Sequence, residues 1–307
     1  MDLIQKLTGI IGVINTPFGT DGNVHVPSLA NYISHSLDAG VCGFLTLGMA
    51  AETPKLSLQE RVLIVETVVK NVQGRVPVIA GVSADTQEER VRLARQFNGM
   101  GCDAIMVNVP FTNREAYLND IHELDETNPG FMMVQDWEFK GFGLPVDLIV
   151  KMFASIPSFK SLKVEVAPAG VKYSDVLKAT AGKLHVTGGW AATQMIEALD
   201  RGVHAFMPTI LHPVYIRIFA LHRLGNRQKA VELFNRVLPV LSFSHQHPDI
   251  CIHFNKRLVC KQGLFITDSV RGPVLTFDSW HERIADELIA GAIMLNEETI
   301  QKSVKQL

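Results

Sequence analysis

Two lysines and a glutamate lie among apolar residues in one strand-like stretch of the sequence. Residues 159–166 read FKSLKVEV, so that Lys163 and Glu165 are separated by a single residue. Side chains of a β-strand alternate between its two faces, so Ser161, Lys163 and Glu165 share one face. Leu162, Val164 and Val166 point the other way, and Lys160 is expected to be a solvated residue on the helix side. An amine held inside a protein is a candidate nucleophile for a carbonyl carbon, with which it forms a Schiff base. The same pattern is equally compatible with an ion pair that has a structural role only.

The elements that must position this pair alternate along the chain. Eight short segments are nearly continuous in apolar residues, as expected of parallel strands that are covered on both faces. These predicted strands are residues 9–18, 43–49, 76–83, 104–110, 131–137, 159–166, 184–190 and 203–210. Amphipathic segments between and after them predict helices at 26–40, 57–74, 86–101, 114–128, 145–156, 173–182, 193–202 and 213–226. Eight strands that alternate with eight helices predict an α/β fold, a closed (β/α)₈ TIM barrel.

The strand pattern stops after residue 226, and three helical patterns follow it. The sequence therefore predicts a barrel over residues 1–226 and a C-terminal helical region over residues 227–307. An open doubly wound sheet is the alternative to the barrel. No G-x-G-x-x-G motif follows a predicted strand, which weakens the dinucleotide-binding form of that alternative.

Composition limits the classes of partner and cofactor. The chain has 307 residues, of which 47% are hydrophobic and 20% are charged, and its formal net charge is −2. Such a balance gives no electrostatic reason to expect nucleic acid or an anionic membrane as a partner. The four cysteines are scattered without a C-x-x-C pair, so that we expect reduced thiols, no metal site and a cytoplasmic protein.

In a barrel of this type, reactive groups lie at the carboxyl ends of the strands and in the loops that follow. This rule selects five sets of residues: Met49 to Glu52 after the second predicted strand, Pro110 to Asn113 after the fourth, Gln135 to Glu138 at the end of the fifth, Lys163 and Glu165 on the sixth, and Gly188 to Trp190 after the seventh. Strand alternation points Asp136 away from Gln135, towards the helical layer. Trp137 and Phe139 are predicted either to cover a substrate or to anchor the loop.

Several motifs of the chain resemble those of the dihydrodipicolinate synthase and N-acetylneuraminate lyase superfamily of Schiff-base aldolases and lyases. They include GVINTPFGTDGNV near the start, GFLTLGMAAETPKLSLQER, SLKVEV, VTGGWA and KRLVCKQG. The resemblance covers almost the whole chain. It implies a (β/α)₈ barrel with C-terminal helices, usually assembled as a homotetramer, that acts on a small-molecule 2-oxo acid and needs no cofactor.

The same resemblance implies roles for particular residues. Lys163 matches the lysine that forms the Schiff base. Gly48, Met49 and Ala50 fall on the family's G-T-T-G-E loop, which holds the substrate carboxylate, and Gly188 matches a glycine that lines the same pocket. Glu52 is expected to tie the loop to neighbouring backbone.

The sequence departs from the family pattern where protons are transferred. Met49 and Ala50 replace the two threonines of the loop, and Gln135 stands where the family has the tyrosine of its Y-N-x-P motif. An amide cannot act as an acid or base near neutral pH, although it can orient a carbonyl group or a water. Glu165 lies where the family usually has a small residue, and we expect it to take over the proton transfer.

Two functions follow from these residues. The first is a lyase that forms a Schiff base on Lys163 and either releases pyruvate by aldol cleavage or dehydrates a 2-keto-3-deoxy sugar acid. The second is a non-catalytic or regulatory relative that keeps the lysine pocket to bind a small molecule. The missing tyrosine motivates the second hypothesis.

Overall fold

The barrel predicted from the sequence is present in the computed structural model, which describes residues 3–304. Eight parallel strands pair in chain order and close on themselves. The strands are β1 (Gly9–Val13), β2 (Gly43–Thr46), β3 (Val78–Gly81), β4 (Ala104–Val107), β5 (Met132–Glu138), β6 (Phe159–Val166), β7 (His185–Gly188) and β8 (Ala205–Phe206). The residues of β1 to β4 and of β7 and β8 are all buried, which explains why their sequences are continuously apolar rather than alternating.

Helices follow the strands along the chain as the amphipathic pattern predicts. They are α1 (Val26–Ala39), α2 (Leu58–Val72), α3 (Gln87–Gly99), α4 (Arg114–Asp125), α5 (Val146–Ser155), α6 (Ala169–Ala179), α7 (Met195–Asp200) and α8 (His212–Arg223). The later helices are α9 (Arg227–Asn235), α10 (Leu238–Ser244), α11 (Pro248–Lys261) and α12 (Ser279–Val304). None of the helices within residues 3–304 combines the length and apolar character needed to cross a bilayer.

Local capping chemistry sets the start of the best predicted helix. The Ser57 hydroxyl accepts a hydrogen bond from the Glu60 backbone N–H at 3.2 Å, and the Glu60 carboxylate accepts one from the Ser57 N–H at 2.9 Å. This reciprocal pair is a capping box, for which a serine followed three residues later by a glutamate is the sequence signal. At α3, the Thr86 hydroxyl likewise accepts from the Glu89 N–H.

Prolines account for three differences from the predicted boundaries. The helical pattern that starts at residue 227 is divided into α9 and α10, because Pro239 lies in the first turn of α10 and has no N–H to continue the preceding helix. Strand β8 is two residues long rather than eight, and Pro208 cannot extend its hydrogen-bond ladder. Helix α6 begins directly after Pro168, four residues earlier than predicted.

The chain divides into two compact units. One comprises residues 1–11, 42–46 and 74–207, and it contains strands β2 to β8 with the start of β1. The other comprises residues 12–41, 47–73 and 208–307. The domain boundary placed at residue 226 stays a prediction.

A buried histidine lies at the amino end of β7, opposite the end where the predicted chemistry lies. His185 Nδ1 is 3.1 Å from the Ser161 hydroxyl, and its Nε2 is 3.1 Å from the Leu7 carbonyl oxygen. Its ring also stacks on His204, with the centroids 5.0 Å apart. Burial, with a smaller contribution from His204, lowers the pKa of His185 to about 3.

This burial predicts a specific loss of stability in acid. Below pH ~6.5 the unfolded chain protonates His185, whereas the folded protein keeps it neutral down to pH about 3. The free energy of unfolding should therefore fall as the pH drops from 7.5 to 5, by about 2 kcal/mol from this one residue. Chemical denaturation at several pH values measures this decrease in the free energy of unfolding. His185→Gln should make the free energy of unfolding less dependent on pH.

The matched control is His122→Gln, because His122 is exposed on α4. That substitution should leave the slope of stability against pH unchanged. Equal slopes for the wild type and for His185→Gln would contradict the assignment.

Candidate active site

Lys163 and Glu165 meet inside the barrel, as the alternation of β6 predicts. Their side chains are buried, with residue exposures of 8% and 5%. Lys163 Nζ lies 3.2 Å from Glu165 Oε2. The ion pair, which was one of two possibilities in the sequence analysis, is therefore present. It brings an amine and a carboxylate within reach of one reacting group.

Gln135 completes a side-chain triad with this pair. Strand β5 pairs with β6 so that Gln135 is opposite Lys163 and Trp137 is opposite Glu165. The Gln135 amide nitrogen donates to Glu165 Oε2 at 2.5 Å. The other oxygen, Oε1, accepts a hydrogen bond from the Trp190 backbone N–H at 2.9 Å. Both carboxylate oxygens therefore act as acceptors, and the orientation of Glu165 is fixed by β5 on one side and by the turn after β7 on the other.

Gly189, which the sequence selects only as part of the segment Gly188 to Trp190, makes room for Glu165. A Cβ placed on Gly189 would lie 2.0 Å from Glu165 Cγ and 2.4 Å from its Cδ, far inside van der Waals contact. The φ angle of Gly189 is −93°, so its backbone conformation is open to other residues and only the side-chain space is restricted. Two consecutive glycines at a strand end are the sequence signal for such a close approach.

Gly188, which the sequence analysis assigns to the substrate pocket, lies against Phe206 and Tyr173. A Cβ there would lie 2.8 Å from the Phe206 ring and 3.3 Å from the Tyr173 hydroxyl. Its α-hydrogen therefore faces the layer between β7 and α6, and its role in lining a substrate pocket stays a prediction.

Asp136 faces away from the triad, as predicted, and forms a second buried ion pair. Its Oδ2 lies 3.0 Å from Lys172 Nζ on α6, and its Oδ1 accepts from the Leu144 N–H at 2.9 Å. Lys172 is fully buried and also donates to the carbonyl oxygens of Phe142 and Leu144. Burial raises the pKa of Asp136 and lowers the pKa of Lys172. The pair holds the loop between β5 and α5 against α6.

Three aromatic rings cluster at the carboxyl ends of β5 and β7. The Trp137 and Phe139 centroids are 4.6 Å apart, those of Phe139 and Trp190 are 5.1 Å apart, and those of Trp137 and Trp190 are 5.9 Å apart. All three pairs meet edge to face, which is a favoured arrangement of aromatic quadrupoles. Trp190, which the sequence places only at the end of a strand, thus contributes both a backbone donor and a ring.

The segment Gly48–Glu52 belongs to the other compact unit and is well anchored there. Met49–Ala51 forms a 3-10 turn. The carbonyl oxygen of Ala50 accepts from the Asn15 amide at 2.6 Å, and that of Gly48 accepts from the Thr53 hydroxyl at 2.9 Å. The contribution of Gly48, Met49 and Ala50 to substrate binding stays a prediction.

Glu52 has the structural role that the sequence analysis gives it. Its buried carboxylate pairs with Lys256 and accepts a hydrogen bond from the Arg271 N–H at 2.9 Å. Lys256 lies over the Phe18 ring at 4.1 Å from its centroid, and burial lowers its pKa to about 8. Over the described part of the chain, no three His, Cys, Asp or Glu side chains are grouped in a way that could hold a metal ion.

The structure is a closed parallel barrel in which an amine, a carboxylate and an amide meet on neighbouring strands. It is therefore a (β/α)₈ protein whose candidate site is built on β5 to β7. The chain belongs to the dihydrodipicolinate synthetase family, whose model matches residues 6–290. The family resemblance stated from the sequence motifs is thereby confirmed.

Two curated relatives are named 4-hydroxy-tetrahydrodipicolinate synthase. The protein of Bartonella bacilliformis is 33% identical over 108 residues, which are 35% of this chain and 37% of the relative. That of Bacillus subtilis is 35% identical over 99 residues, which are 32% of this chain and 34% of the relative. The match thus spans little more than a third of the length of either relative.

Solved structures extend the similarity of fold to nearly the whole chain. The dihydrodipicolinate synthase of Rhodopseudomonas palustris superposes with a TM-score of 0.84 over 93% of this chain and 98% of that one, at 21% identity. At that identity the comparison concerns the fold, and it confirms the (β/α)₈ barrel.

The geometry of Gly189 gives a structural prediction. Gly189→Ala should force the Glu165 side chain out of its position and lower the free energy of unfolding by about 1–3 kcal/mol. In a Glu165→Ala background the clash is absent, and the same change should cost less than about 1 kcal/mol. Urea denaturation of the four proteins in this double-mutant cycle measures the difference.

Gly99→Ala is the matched control, since a Cβ on Gly99 would meet no atom within 4 Å. It should have the same small effect in both backgrounds. An equal cost of Gly189→Ala with and without the Glu165 side chain would disprove the close approach.

Proposed function

We propose that this protein is a class I lyase that acts on a 2-oxo acid through a Schiff base on Lys163. The observation that carries the proposal is the buried triad of Lys163, Glu165 and Gln135 on the neighbouring strands β5 and β6 of the barrel. Membership of the dihydrodipicolinate synthetase family supports a reaction of this class. The resemblance of Lys163 to the family's Schiff-base lysine supports the choice of nucleophile.

The first step forms the covalent intermediate. Glu165 takes a proton from the Lys163 ammonium, and the resulting amine attacks C2 of the 2-oxo acid. The carbonyl oxygen receives one proton from the attacking nitrogen and the other from Glu165, and it leaves as water. The resulting protonated imine withdraws electrons from C3. Gln135 is placed to orient the substrate or the departing water, because its amide can both donate and accept hydrogen bonds.

The second step breaks the carbon–carbon bond of a 4-hydroxy-2-oxo acid. Glu165 takes the proton of the C4 hydroxyl, the C3–C4 bond breaks, and the bonding electrons pass into the imine as an enamine. An aldehyde leaves, Glu165 returns the proton to C3, and water hydrolyses the imine to release pyruvate and the free lysine. Dehydration of a 2-keto-3-deoxy sugar acid would use the same imine and lose the C4 oxygen instead.

Several finer assignments remain predictions. The segment Gly48–Ala50 is expected from the family resemblance to hold the substrate carboxylate. Assembly as a homotetramer and a cytoplasmic location are likewise expectations from the sequence.

Reductive trapping tests the nucleophile. Incubation with pyruvate followed by borohydride should reduce the imine to a secondary amine and add one pyruvate-derived group to the peptide that contains Lys163. Lys163→Ala should abolish the adduct, because no other amine on β6 shares its buried position beside a carboxylate. Lys160→Ala, which removes the other lysine of the strand, should leave the adduct intact.

Mass spectrometry of the digested protein gives the result. Failure to find an adduct with pyruvate or any member of a panel of 2-oxo acids would reject the Schiff-base proposal. An adduct that forms while no 2-oxo acid is turned over would favour the non-catalytic relative.

A separate prediction concerns the proton carrier. Glu165→Gln keeps the size of the side chain but replaces one acceptor oxygen with an NH2 donor and cannot accept a proton, so kcat should fall by about 10²–10⁴-fold. The trapped adduct should still form at equilibrium. Steady-state kinetics of pyruvate release, followed with a coupled reductase, measure kcat.

Glu138→Gln is the control, because Glu138 is an exposed carboxylate at the end of the adjacent strand. It should leave kcat within about twofold of the wild type, the change that a surface substitution of ±0.5 kcal/mol allows. Unchanged turnover in Glu165→Gln would show that another group moves the protons.

A further inference from the structure

The aromatic cluster of Trp137, Phe139 and Trp190 is in direct register with the proposed catalytic groups. Trp137 follows Gln135 by two residues, so both side chains leave the same face of β5. Trp137 is also the register partner of Glu165, and the Trp190 N–H donates to Glu165. The rings therefore border the carboxylate on the side of the carboxyl ends of the strands.

The rings retain surface that core packing would have removed. Phe139 is 44% exposed, and Trp137 and Trp190 are half-buried. Large apolar side chains grouped at the mouth of a barrel are typical of ligand-binding surfaces. The remaining surface of the cluster can bury a further flat, apolar group.

The loop that carries Phe139 is held in place before any ligand binds. Lys172 donates to the carbonyl oxygens of Phe142 and Leu144 and lies 4.8 Å from the centre of the Phe142 ring. Its partner Asp136 accepts from the Leu144 N–H in turn. A surface ordered in advance loses less conformational entropy when it binds a ligand than a mobile loop would.

We propose that this cluster is the wall that binds the aldehyde half of the substrate, and that it selects an aryl or other flat apolar substituent on C4. This inference rests on the proposed function and names its substrate class. The reaction is the cleavage of a 4-aryl-4-hydroxy-2-oxo acid into pyruvate and an aryl aldehyde, with the same proton and electron transfers as the carbon–carbon cleavage of the proposed function. A polyhydroxylated chain would lose water contacts against the three rings without gaining equivalent hydrogen bonds.

The rates of aldol addition test the selection. Pyruvate is offered with benzaldehyde and with glyceraldehyde, and the ratio of the two kcat/KM values is determined. The wild type should favour benzaldehyde, and Phe139→Ala should lower the ratio by about tenfold, as loss of one aromatic contact predicts. Trp280→Ala, which removes an exposed aromatic ring at the start of α12 and away from the cluster, should leave the ratio unchanged.

A binding measurement tests the preference for an aryl substituent independently of turnover. The tryptophan fluorescence of the cluster is titrated with 4-phenyl-2-oxobutanoate and with its dihydroxylated counterpart, in which a hydroxylated chain replaces the phenyl group. The phenyl compound should bind at least tenfold more tightly, and Phe139→Ala should remove that advantage while pyruvate affinity stays the same.

The results separate failure of this inference from failure of the proposed function. Preference for glyceraldehyde, or a preference for the phenyl compound that Phe139→Ala leaves intact, would overturn the aromatic wall even if Lys163 is trapped with pyruvate. Absence of any Lys163 adduct would overturn the Schiff-base chemistry, and the fluorescence titration would then still accept or reject the aryl selection.

Discussion

The buried ion pair of Lys163 and Glu165 is the constraint on which the site depends. Moving two charges from water into a protein interior costs several kcal/mol per ion, and attraction between them offsets that cost only when further hydrogen bonds satisfy the remaining groups. The Gln135 amide and the Trp190 N–H supply two such bonds to Glu165. The space beside Gly189 is the geometric condition for this arrangement, because any larger residue would occupy the position of the carboxylate.

Comparison with the other buried lysines shows what is distinctive about Lys163. Lys172 pairs with Asp136 and donates to two backbone carbonyl oxygens. Lys256 pairs with Glu52 and donates to the Ser269 carbonyl oxygen at 2.8 Å. These two amines are bound to the main chain and hold loops in place. Lys163 pairs with Glu165, a carboxylate that can exchange a proton with it while the backbone hydrogen bonds around it stay in place.

The two faces of β5 divide structural from chemical tasks. Gln135 and Trp137 share one face, where they meet the carboxylate and form the aromatic wall. Asp136 lies on the other face and fixes the following loop through Lys172. Side chains alternate between the two faces of a strand. Asp136, which forms the supporting ion pair, is therefore adjacent to Gln135 in the sequence but lies on the opposite face of β5.

The sequence by itself determined the barrel and the inward direction of Lys163 and Glu165, because apolar periodicity and strand alternation are local properties of the chain. It also determined the caps at Ser57 and Thr86, which depend on residues three positions apart. Only the tertiary structure decided that Gly189 makes room for Glu165, that Trp190 joins Trp137 and Phe139, and that Lys172 holds the loop after β5. Each of these contacts joins residues more than 20 positions apart, and their distances are fixed by strand register and helix packing, which no local pattern encodes.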